Sequence, residues 1–219
     1  MGLDLVVEGC ARSGHEAEWR RVLERGFGDD QVTDADTARF AEISIPPYER
    51  LGAPRVGYDK TADDWIIETR KAGTSEEVAA ALKDFHGYYA LRLVKCDGVP
   101  EYSHGGLYAG VDETTFRGAF LNACDDVLPK DLIDKVWDHK FPEAAISYGQ
   151  ELLAAADAAK AAGPPPRPPP PKPGLFARLG LTRKPPEPMA FEEQLKIVQA
   201  AGRWFVFWGE RGHAIRAWF

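Results

Sequence analysis

Cysteine is scarce in this sequence: Cys10, Cys96 and Cys124 are all it has, far apart and without a Cys-x-x-Cys spacing. That excludes a dense disulfide framework and leaves no zinc signature, so three free thiols and a cytoplasmic setting are expected. Long apolar runs are also lacking, and none approaches the ~18 residues of a membrane helix. The start, Met1-Gly2 followed by Leu3-Asp4-Leu5-Val6-Val7, has neither the basic region nor the longer apolar core of a secretory signal. A soluble chain with no membrane partner is expected. Basic charge is not in excess: the formal net charge is -7 and the pI near 5.3, which argues against a nucleic-acid partner, because phosphates must be neutralised by a basic face. No phosphate loop, dinucleotide fingerprint or zinc motif occurs, and Gly105-Gly106 followed by Gly110 is not a phosphate cradle. No cofactor and no metal are expected.

What is present describes an ordinary folded protein. The 219 residues are 44% hydrophobic, 28% charged and 11% aromatic, enough for one ample core. Taken in order, Leu3 to Gly9 reads as a strand, and Ser13-Gly14-His15-Glu16 turns it into an amphipathic helix carrying Trp19, Val22, Leu23 and Phe27. Ala38 to Ile45 and Trp65 to Thr69 read as further strands. Thr74-Ser75-Glu76-Glu77 is a capping box opening a helix with Val78, Ala81, Leu82 and Phe85 on its apolar stripe, and Tyr88 to Val94 alternates as a fourth strand. This order, β-α-β-β-α-β, predicts an α+β fold built on a ferredoxin-like unit. The segment from Glu8 to Trp19 resembles the strand-turn-helix start of ferredoxin-like dimeric α/β-barrel proteins; the resemblance covers this opening only and identifies no family.

The second half reads as helical. Thr115 to Val127 repeats Phe116, Phe120, Cys124 and Val127 at helical spacing, Pro129 opens a second helix, and Pro142 opens a third that ends at Gly163. From Pro164 to Pro173 the chain is nearly all proline, which predicts an extended polyproline strap of roughly 30 Å. The region from Gly163 to Pro186 carries five cations and no acid. Phe191 to Ala200 reads as a helix, and Trp204 to Trp208 with Ala214 to Phe219 as a C-terminal β-hairpin that packs back on the body, since a lone hairpin is marginal in water. The organisation expected is 1-162 as an α+β body with a helical second half, 163-188 as a basic Pro-rich strap, and 189-219 as a docking helix and hairpin, all one cooperative unit.

The densest chemistry lies between Tyr102 and Gly118, where four glycines surround Tyr102, His104, Tyr108, Asp112, Glu113 and Arg117. A second loop, Pro46 to Asp59, is stiffened by prolines and carries Tyr48, Arg50, Arg55 and Tyr58. Together the two loops offer ligand-binding candidates in Tyr48, Arg55, Tyr58, Tyr102, His104, Tyr108 and Arg117. Two functions fit. The first is a non-catalytic binding or interaction protein using these aromatic loops, with a protein or small molecule as partner. The alternative is a small-molecule enzyme in which His104 is the general acid or base, Asp112 or Glu113 orients it, and Arg117 anchors an anionic substrate.

Overall fold

The computed structural model describes residues 2–28, 32–96, 98, 113–166 and 189–219. It is a mixed α+β structure in which helices dominate and the sheets are small. The opening alternation of Asp4, Leu5, Val6 and Val7 produces strand β1 (Asp4–Val7), with Leu5 and Val7 buried. Two short strands flank it, β4 (Thr115–Phe116) and β5 (Ile215–Trp218), both antiparallel to it. A second, two-stranded sheet pairs β2 (Cys10–Ala11) with β3 (Ser44–Ile45).

Around these strands lie α1 (Glu16–Phe27), α2 (Asp34–Ile43), the single turn α3 (Pro47–Arg50), α4 (Lys60–Arg70), α5 (Ser75–Asp84), the short α6 (Lys130–Asp134), α7 (Pro142–Ala162) and α8 (Phe191–Glu210). The main core joins both ends of the chain. Leu3, just before β1, and Leu5 and Phe116 of the β1–β4 pair share this core with Leu152 and Ala156 of α7 and Trp204, Phe205 and Trp208 of α8. Pro142 and Ile146 face Gly209 while Gly149 and Leu153 face Gly202, so α7 and α8 run antiparallel. Their backbones approach at glycines: a Cβ on Gly149 would sit 2.7 Å from the Gly202 carbonyl oxygen. A satellite core of Val56, Ala62, Ile66, Phe85 and Ala90 holds α4 against α5.

Several local expectations match. Thr74 and Glu77 form the reciprocal capping box of α5, Pro142 stands at the first turn of α7, and Gly163 caps it at φ +76. The ferredoxin-like β-α-β-β-α-β unit, however, is not the fold. Ala38 to Ile43 belongs to α2, started by a second capping box between Thr33 and Asp36, and only Ser44–Ile45 is extended. Trp65 to Thr69 lies inside α4, where Ala62 and Ile66 share a buried face one turn apart. Tyr88 to Val94 contains one isolated bridge, Tyr89 to Arg55, followed by a 3-10 turn at Leu91–Leu93; Ala90 and Leu91 are both fully buried, which a half-buried strand does not allow.

The segment from Thr115 is likewise not a regular helix. Thr115–Phe116 pairs with β1, and a 3-10 stretch Gly118–Ala123 follows. The C-terminal hairpin is also corrected. Trp204 to Trp208 continues α8, since Ile197, Val198, Ala201, Trp204, Phe205 and Trp208 form one buried helical stripe against α7 and the sheet. Only Ile215–Trp218 is a strand, and its partner is β1 at the far end of the chain. Strap residues 167–188 lie outside the described residues.

Candidate functional site

Tyr102, His104, Tyr108 and Asp112 lie outside the described residues. Glu113 is half-buried just before β4. Arg117 stands between β4 and the 3-10 stretch Gly118–Ala123, which it precedes directly, and pairs across to Asp4 of β1 at 3.2 Å, in a geometry short of a hydrogen bond.

Tyr48, Arg55 and Tyr58 do come together. The loop that carries them folds back at Gly57, whose φ of +83 favours glycine, and its amide donates to Asp63 Oδ1 at 2.7 Å. Arg55 Nε donates to the Gly87 carbonyl at 2.7 Å, which fixes the guanidinium 4.6 Å from the Tyr58 ring centroid and 5.2 Å from that of Tyr89. Tyr89 stacks on Tyr48 at 4.5 Å, and Tyr58 meets His86 at 5.4 Å. The result is a cation held among tyrosines on the satellite core. Tyr58 is 65% exposed and Tyr88, packed edge-on against Phe85, is 36% exposed.

A separate cleft of about 580 Å³ opens where the N-terminal end of α1 and strand β2 meet the end of α8. Trp19 lies in its wall with the indole N–H donated to the Gly9 carbonyl at 2.7 Å, which leaves the ring for apolar contact. At Gly212 the chain turns out of α8 with φ +80, and a Cβ placed there would lie 3.7 Å from the Cys10 Cβ. This turn buries His213 completely behind the floor. The His213 Nδ1 lies 2.8 Å from the Glu8 carbonyl oxygen, and a carbonyl only accepts, so Nδ1 carries the proton. Among the described residues the Nε2 acceptor has no hydrogen-bond partner. Burial pushes the imidazole down to about 4, against the Glu8 carbonyl, which favours the charged form, and with the Arg50 and Arg211 cations, which disfavour it. Burial pushes the Cys10 thiol up, although Arg50 opposes this. A neutral thiol and a neutral, enclosed imidazole do not supply an activated nucleophile and base.

Comparison with family models, with curated proteins and with solved structures finds no match. No group of three or more His, Cys, Asp or Glu side chains is placed to hold a metal among the described residues, and no described helix is long and apolar enough to cross a membrane.

Sequence reasoning grouped Arg50 with Arg55. The turn α3 separates them, sending Arg50 to the cleft and Arg55 to the tyrosines. Cys10 and His213 were not singled out as site residues, because nothing local links residues at opposite ends of the chain.

Proposed function

We propose that the protein is a non-catalytic binding protein that engages a partner protein through the tyrosine–arginine face of Tyr48, Arg55, Tyr58, Tyr88 and Tyr89. The observation that carries this reading is the position of Tyr58, 65% exposed yet stacked on a guanidinium that is itself hydrogen-bonded to Gly87. Tyrosine and arginine are the residues enriched at the energetic centres of interfaces, and an anchor fixed beforehand loses little side-chain entropy on binding. The thiol of Cys10, kept neutral by burial, and the enclosed His213 do not add a nucleophile or base to the enzyme alternative, whose His104 and Asp112 lie outside the described residues. The test places a photo-cross-linking amino acid at Tyr88 and, as a control, at the exposed Asp157 on α7. A discrete adduct at Tyr88, absent at Asp157 and lost on Tyr58→Ala, is expected, since truncating such an anchor costs about 2 kcal/mol or more. Equal labelling at the two positions, or an adduct indifferent to Tyr58→Ala, would overturn the reading.

A further inference from the structure

The cleft between α1, β2 and the end of α8 has a lining balanced in charge, with Arg20, Arg50 and Arg211 facing Glu16, Glu143 and Glu210. Two of the cations are engaged. Arg20 pairs with Glu143 at 2.7 Å and covers the Phe141 ring at 4.1 Å. Arg211 donates to the Phe207 carbonyl at 3.0 Å and lies 3.5 Å from the Phe207 ring centroid. Arg50 is the exception: among the described residues it has neither an ion pair nor a side-chain hydrogen bond. Its charge nonetheless reaches Cys10 in the lining and the enclosed His213. Between these charges the wall is apolar, made by Ala11, Ala17, Trp19 and Pro142.

We propose that this cleft binds a small aromatic or aliphatic monocarboxylate, with its carboxylate on the Arg50 guanidinium and its apolar body against Trp19, Ala17 and Pro142. A planar guanidinium fork matches a carboxylate in a bidentate manner. Among the described residues Arg50 is the one cation of the lining whose side chain no ion pair or hydrogen bond holds, so it can turn to a carboxylate, and a single negative charge keeps repulsion from Glu16, Glu143 and Glu210 smaller than a phosphate dianion would. The volume of about 580 Å³ falls within the range of ~300 to 1,000 Å³ usual for small-molecule sites, which combine apolar walls with a few polar anchors. The site is independent of the Tyr58 face, and either stands if the other fails.

The probes are benzoate, 3-phenylpropionate and indole-3-acetate, each paired with its neutral amide and titrated into the full chain while proton–nitrogen spectra are recorded. The carboxylates are expected to shift the Trp19 indole N–H and the Gly212 amide saturably, and their amides to bind at least about tenfold more weakly, the size of a lost charge-assisted contact. Arg50→Gln should weaken carboxylate binding by a similar factor, whereas Lys60→Gln, which removes the same charge from exposed α4, should leave it unchanged. Among the described residues the Arg50 side chain has no ion pair or hydrogen bond, so its variant should melt as the parent does. Absence of saturable shifts at Trp19 and Gly212, equal binding of amides and acids, or full affinity in Arg50→Gln would each overturn the proposal.

Discussion

His213 shows at the scale of one residue how burial becomes a dependence on pH. Its imidazole is fully enclosed, donates from Nδ1 to Glu8 and packs edge-on against Trp208 at 5.0 Å. Burial pushes its folded value down to about 4 from the ordinary 6.5, so as pH falls the unfolded chain takes up the proton first. The group's contribution to stability is complete above 6.5 and is lost as pH falls toward about 4. His139 acts in the same direction: burial also lowers it, and its Nδ1 must stay unprotonated to accept the Ala217 N–H at 3.2 Å. Urea unfolding free energy should therefore drop by about 2 kcal/mol or more between about pH 7.5 and about pH 5. His213→Asn should be less stable than the parent at neutral pH but should show a shallower slope. An unchanged slope in that variant would place the acid sensitivity elsewhere.

Among the elements, the α7–α8 pair sets the body, and its closeness depends on side chains that are absent. Gly149 and Gly202 would each be poor choices for an isolated helix, since glycine costs about 1 kcal/mol relative to alanine in a helix interior. Here the packing outweighs that penalty. A Cβ on Gly149 would meet the Gly202 carbonyl at 2.7 Å and Val206 at 2.8 Å, and one on Gly202 would meet Leu153 at 2.7 Å. Gly149→Ala is therefore expected to destabilise by about 1 to 3 kcal/mol through overpacking, in spite of the gain in helix propensity. Thermal melts monitored by far-ultraviolet circular dichroism would check this, and a higher midpoint in the variant would mean that the helices separate at little cost.

For the molecule as a whole, the two chain ends depend on each other. Strand β5 supplies four residue pairs to β1, and β4 supplies two. Arg216 also pairs with Glu8, and Lys140 exchanges backbone hydrogen bonds with Ile215 at 2.7 and 2.8 Å, which closes the outer edge of β5. Removal of Ile215 to Phe219 would uncover one edge of β1 and the core side chains Leu5 and Val7 beside it. Burying such side chains contributes about 1.5 to 3 kcal/mol each, against a whole-domain stability of about 5 to 15 kcal/mol. The truncated chain is expected to lose its cooperative urea transition and to bind a hydrophobic dye. Retention of a sharp transition would show that α7 and α8 fold without the strand.

The features legible in the sequence were those whose hydrogen bonds close within a few residues. The Thr74–Glu77 box, Pro142 at a helix start, Gly163 at a helix end and the stripe of α1 are each decided locally, and so is the tyrosine–arginine content of the Pro46 to Asp59 loop. The Thr33–Asp36 box was equally local but uses Asp where Glu is more common, so α2 read as loop and strand. Tertiary structure decided the rest. Short apolar runs such as Trp65 to Thr69 and Trp204 to Trp208 satisfy either a strand or a buried helix, and only the surface they pack against, α5 for one and α7 for the other, selects the helix. The cleft is the extreme case: Cys10 and Arg50 meet Gly212, with His213 behind it, because β5 returns to β1, and no spacing along the chain encodes a pairing between its two ends.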